Sequence, residues 1–101
     1  MLAEFTIVPL DKGESLSGYV SEILEIVDSS GLEYRLTPMG TIVEGDWDEV
    51  MSLVKGCHMH MRGYSKRVST SVKVDDREGA VDRLEGKVRS VESKLGKKLK
   101  K

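Results

Sequence analysis

Hydrophobic and polar residues alternate from the first positions of the chain. Ala3, Phe5 and Ile7 fall on one face and Glu4 and Thr6 on the other, which predicts a half-buried strand over Leu2 to Leu10. Pro9 has no N–H to donate and ends that ladder. The period then changes. Leu16, Tyr19, Val20, Ile23, Leu24 and Val27 keep the 3,4 spacing of a helix with one apolar face. Ser15 is its candidate N-cap, and Gly31 closes it by taking the left-handed conformation. Tyr34 and Leu36 alternate with Arg35 and Thr37 in a second strand. Thr37-Pro38-Met39-Gly40 reads as a tight turn, which makes Thr41 to Glu44 the hairpin partner.

Asp46 caps a second helix, and Glu49 three residues later completes a capping box. Trp47, Val50, Met51, Val54, Cys57 and Met61 form its apolar face, and it breaks near Gly63. Val68, Thr70, Val72 and Val74 face away from Ser69, Ser71 and Lys73 in a fourth strand. After a polar loop, Val81, Leu84, Val88, Val91 and Leu95 repeat at 3,4,3,4 from about Ala80, a heptad seam rather than a broad core face. The order is β-α-β-β-α-β plus one helix, an α+β ferredoxin-like fold with a four-stranded antiparallel sheet and an extra C-terminal helix. We read one domain, 1–101, with its core in 2–76 and the C-terminal helix at 79–97. Two helices cover one sheet face. Glu4, Thr6, Val8, Arg35, Thr37, Ser69, Ser71 and Lys73 occupy the other. The seam of the last helix has two destinations, its own sheet or another subunit.

Composition narrows the function classes. Sixteen Lys+Arg against seventeen Asp+Glu give a net charge of -1, without a global pull toward nucleic acid or an anionic membrane. The terminal KKLKK reads as a solvated helix end. One cysteine, Cys57, rules out an internal disulfide framework and suits a reducing compartment. MLAEFTIVPL carries Glu4 and lacks the basic start of a secretory signal, and no apolar run approaches the ~20 residues of a membrane span. The expectation is a cytoplasmic domain. The chain has neither Asn nor Gln, a bias that fits heat adaptation.

Candidate chemistry is sparse. Cys57-His58-Met59-His60 holds metal-type residues, but a closed zinc site needs a second ligand pair that the chain lacks. Asp46 and Glu49 are accounted for by capping, and Asp75-Asp76 by a solvated loop. No triad signature, phosphate loop or exposed aromatic strand pair is present. We therefore expect no catalytic residues, no metal and no cofactor. Trp47 either staples its helix to the sheet or offers a flat wall to a planar ligand. Thr37 and Thr41 flank the turn as polar partners or as ordinary turn and strand residues, and Met39 is an adaptable contact or an incidental turn residue.

AEFTIVPL (3–10), YRLTPMGTIVEGDWDEV (34–50) and KRVSTSVKVDDR (66–77) together resemble the small thiamine-binding-protein-like family of archaea, bacteria and yeast. The resemblance implies a ferredoxin-like subunit that assembles into dimers and then tetramers, without enzymatic activity. Related tandem-domain proteins bind thiamine through its hydroxymethylpyrimidine ring. By that analogy the ligand site falls near Pro9, Thr37, Met39, Thr41 and Trp47, with Glu44 or Glu4 offsetting the thiazolium charge. The leading expectation is a non-catalytic, homo-oligomeric binder of thiamine or its pyrimidine moiety. The alternative is an oligomeric scaffold or regulatory protein without a ligand.

Overall fold

The computed structural model describes residues 1–13, 16–79 and 83–98, side chains at 83 and 85–88 excepted. The expected Ser15 cap, the helix start at Ala80 and the seam residues Val81 and Val88 lie outside that description. The elements are β1 (Leu2–Pro9), α1 (Ser17–Ser29), β2 (Glu33–Thr37), β3 (Gly40–Glu44), α2 (Trp47–Arg62), β4 (Val68–Asp75) and α3 (Arg83–Leu95). They build one antiparallel sheet in the order β2-β3-β1-β4, the ferredoxin-like arrangement expected from the element order.

Register follows the alternation read from the sequence. Ala3 lies opposite Val43 and Val74, and Phe5 opposite Thr41 and Val72, so these side chains share the helix-covered face. Glu4, Thr6 and Val8 face the other way with Lys73, Ser71 and Ser69. The core joins Ala3, Phe5 and Val43 of the sheet to Ile23 and Val27 of α1. From α2 come Val50, Leu53, Val54, Cys57 and Met61. Pro9 is the last residue of the β1 ladder, opposite Val68, and the chain crosses once more as the Leu10 N–H donates to the Arg67 carbonyl at 2.8 Å.

α2 starts where the capping pattern places it. The Glu49 N–H donates to Asp46 Oδ1 at 2.8 Å, and the Asp46 N–H donates to Glu49 Oε1 at 3.1 Å. Asp46→Ala is expected to cost about 1 kcal/mol, read as a lower urea midpoint at unchanged slope. α1 ends as expected, with Gly31 at φ 78 beyond the Ser30 cap. Asp11, just past the end of β1, ties two loops together. Its carboxylate accepts from the Ser65 hydroxyl at 2.5 Å and the Lys66 N–H at 3.0 Å, and these bonds hold its pKa below the ordinary value.

Two expectations about packing change. Trp47 does not staple α2 to the sheet; it is 55% exposed, whereas Leu53, left out of the expected face, is buried. Among the described residues, the third helix meets its own sheet at its start. The Leu84 N–H donates to Glu44 Oε1 at 3.1 Å, while Val91 and Leu95 further along the seam are exposed. The radius of gyration, 15.0 Å, exceeds the about 13 Å of a compact chain of this length, as expected of a helix running off the body.

Candidate functional site

Strand lengths create the site. β1 pairs with β3 only from Leu2↔Glu44 to Phe5↔Thr41, yet it continues to Pro9 along β4. On the β3 side, Thr6 to Val8 therefore lack a strand partner among the described residues. The β2–β3 turn comes down at this gap. A Cβ on Gly40 would sit 3.0 Å from Thr6 Cγ2 and 3.1 Å from the Phe5 carbonyl oxygen, so only glycine allows the approach. α1 forms the opposite wall. Its apolar stripe is wider than the core needs: Ile23 and Val27 are buried, and Leu16, Val20 and Leu24 remain to line a cleft.

The cleft has a volume of about 200 Å³ and runs between α1, the end of β1 and the hairpin turn. Phe5, Ile7, Ile23 and Leu36 supply further apolar lining, and none of its described lining residues is charged. Of the six residues singled out from the sequence, Thr37, Met39 and Thr41 converge here. Their roles differ. The Thr37 hydroxyl is consumed by the turn, donating to the Gly40 carbonyl at 2.9 Å and accepting the Met39 and Gly40 N–H groups at 3.2 and 3.1 Å. Met39 is 81% exposed at the rim. Thr41 is 5% exposed and lines the cleft, and its hydroxyl, without a hydrogen bond to another described residue, is open to the cleft rather than sealed in the core.

The other three lie elsewhere. Pro9 is buried against Val68 at the end of β1. Glu44 sits at the opposite end of β3, across from Leu2 and Glu33, with its carboxylate at the start of α3. Trp47 begins α2 and does not line the cleft. Leu16, Val20 and Leu24 are the lining residues that sequence reasoning assigned to the core instead. The signal was present in the width of the α1 stripe, six apolar positions where a narrower face closes a small core.

Cys57-His58-Met59-His60 does not converge. The Cys57 thiol is in the core, where burial pushes its pKa up to about 11 and makes it a poor nucleophile. His58 Nδ1 is 2.6 Å from the Thr70 hydroxyl on β4. His60 lies between α1 and α2, with Nε2 3.6 Å from Glu22 Oε1, an oxygen that also accepts from the Tyr64 hydroxyl at 2.9 Å. No group of three or more His, Cys, Asp or Glu among the described residues is placed to hold a metal ion. No helix among them is long and apolar enough to cross a membrane.

Comparison with known proteins places this geometry. A family model described as "Thiamine-binding protein" matches residues 3–92. A UPF0045 protein of Methanocaldococcus jannaschii is 34% identical over 91 residues, covering 90% of this chain and 91% of the relative. One from Methanothermobacter thermautotrophicus is 40% identical over 96 residues, covering 92% and 97%. Among solved structures, a hypothetical protein of Methanocaldococcus jannaschii superposes with a TM-score of 0.83 at 34% identity, over 89% of this chain and 93% of the other. A proposed thiamine biosynthesis/salvage protein of Thermotoga maritima gives 0.78 at 26% identity, over 89% and 96%.

Proposed function

The chain belongs to the thiamine-binding protein family, and from that premise we propose that it is a non-catalytic, homo-oligomeric protein that takes thiamine by its pyrimidine ring into the cleft between α1 and the β2–β3 turn. The observation that carries this reading is Thr41. Its hydroxyl lines the cleft without a hydrogen bond to another described residue and is open to water there, so a ligand's polar edge can take that water's place. The surrounding wall is apolar, so a flat neutral ring is the group it accommodates. Beside Thr41 runs the edge of Thr6 to Val8, which has no strand partner on the β3 side among the described residues. Backbone N–H and C=O groups there meet the donor and acceptor edge of an aminopyrimidine as they would a neighbouring strand.

Size and charge set how much of the ligand enters. The cleft's 200 Å³ is below the about 300 Å³ from which drug-sized pockets start, which suits one ring. The thiazolium stays at the mouth, because burying a cation without a lining carboxylate is costly. Glu44, expected to offset that charge, is instead engaged at the start of α3. The biosynthesis or salvage label of the Thermotoga maritima neighbour is compatible with a protein that holds or delivers thiamine.

Thr41→Val tests the reading through two separate measurements. Titration calorimetry with thiamine is expected to give a saturable signal whose affinity falls about three- to tenfold in the variant, the worth of one hydrogen bond. Stability without ligand is expected to change by less than about 1 kcal/mol, since a methyl of similar size replaces a hydroxyl that is open to water in the cleft. A flat thiamine titration of the folded wild-type protein would sink the ligand claim and leave an oligomeric scaffold.

A further inference from the structure

The cleft does not end at its rim. A second hollow of about 180 Å³ lies on the open face of the sheet, and Phe5, Thr6 and Met39 line both. The hairpin turn joins them. A Cβ on Gly40 would also come within 3.4 Å of Glu4 Cγ, so the turn reaches over β1 as far as Glu4. The chemistry changes from one hollow to the next. None of the described residues lining the cleft is charged, whereas the second hollow holds Glu4 and Lys73 together with Ser71 and Thr6. Register sets their order. Thr6 pairs with Ser71 beside the cleft, and Glu4 pairs with Lys73 two residues further along β1, about 7 Å away. Asp75 lies two residues beyond that, opposite Leu2, and lines a separate hollow. Glu4, Ser71 and Lys73 are all exposed. An opposed Glu–Lys pair on neighbouring strands is ordinarily a surface pair worth little. Here it stands where the cleft opens.

We propose that this hollow is the subsite for the outer half of the ligand, and that it selects a thiamine carrying a phosphate monoester on its hydroxyethyl arm. The inference rests on the thiamine reading above and places the part of the molecule that stays outside the cleft. With the pyrimidine in the cleft, the methylene bridge carries the thiazolium over Thr6 and beside Met39, within reach of Glu4. The Glu4 carboxylate offsets the positive ring without being buried, so it keeps its own hydration when no ligand is present. The hydroxyethyl arm then crosses to β4, one strand spacing or about 4.8 Å away. There the Ser71 hydroxyl and the Lys73 ammonium donate to the phosphate. A carboxylate on one strand and an ammonium on the next match a ligand that is cationic in its ring and anionic at the end of its arm. Unphosphorylated thiamine engages the carboxylate alone and leaves Lys73 in water.

Titration calorimetry at low ionic strength, with thiamine and thiamine monophosphate as separate ligands, tests the subsite. The wild-type protein is expected to bind the monophosphate about three- to tenfold more tightly. At about 1 M salt, where charges are screened within about 3 Å, the two affinities should come together. Lys73→Gln is expected to lose the preference and keep its thiamine affinity, and Glu4→Gln to weaken both ligands. Both side chains are exposed, so each variant should unfold at the wild-type urea midpoint. Should either fail to fold, the salt dependence of the wild-type preference decides. Equal or weaker binding of the monophosphate by the wild type overturns the subsite and leaves the cleft reading in place. So does a preference that salt does not reduce, or a Lys73→Gln variant that loses both ligands alike. Unchanged affinities in Glu4→Gln overturn the placement of the thiazolium. A folded protein that binds neither ligand overturns the thiamine reading itself, and the subsite with it.

Discussion

Phe5→Ala is expected to destabilise the protein by about 3–5 kcal/mol, the largest loss of any single substitution considered. Phe5 is 2% exposed at the centre of β1, flanked by Thr41 on β3 and Val72 on β4, and belongs to the one cluster that joins the sheet to both helices. Removing the ring loses its transfer energy and leaves a cavity that β1, hydrogen-bonded on both sides, cannot close. Domains of this size hold about 5–15 kcal/mol in total, so the change takes a large share. Urea unfolding followed by circular dichroism measures it as a lower midpoint at unchanged slope. A loss below about 1 kcal/mol would mean that the core does not centre on Phe5. Because Phe5 also lines the cleft, the variant should lose ligand affinity as well.

Val20→Lys is expected to do the reverse, leaving the fold intact and removing the ligand. Val20 is 42% exposed on α1, and lysine has the better helix propensity, so the unfolding midpoint should hardly move. The ammonium and its stem then lie along the apolar cleft and repel a thiazolium at the mouth. Bringing the ligand in against an unpaired charge should cost about 2–3 kcal/mol, or about 30- to 150-fold in affinity by calorimetry. Unchanged thiamine affinity in Val20→Lys would move the ligand site away from this cleft, and Trp47 would be the next place to look.

Much of the fold is legible in the local patterns of the chain. Period-two alternation locates β1 and β4, and the 3,4 period locates both packed helices, because one-sided burial leaves that trace wherever it occurs. Asp46 with Glu49 and the Thr37–Gly40 turn are equally clear, since caps and turns are satisfied by residues a few positions away. Trp47 shows the limit of this reasoning. Helical spacing puts it in line with Val50, but a first-turn residue is buried only if the sheet extends beneath it, and periodicity carries no information about that. The same holds for Val72 and Val74, whose face follows from alternation and whose exposure depends on where the helix layer stops.

The candidate site is half legible, for a related reason. Thr37, Met39 and Thr41 are neighbours in sequence, so any site built on the hairpin would gather them. Glu44 and Trp47 are nearly as close in sequence but lie at the other end of β3, because a strand separates its two ends by about 3.3 Å per residue. Element types, their order, the helix-facing side of each strand and the family all follow from the order of amino acids, since each rests on local periodicity or motif. Three facts come from the folded chain instead. β3 stops pairing with β1 at Phe5, α1 has apolar residues to spare over the resulting gap, and Thr41 rather than Thr37 keeps a free hydroxyl there. Each depends on the relative lengths of strands brought together from distant parts of the chain, which no local pattern records.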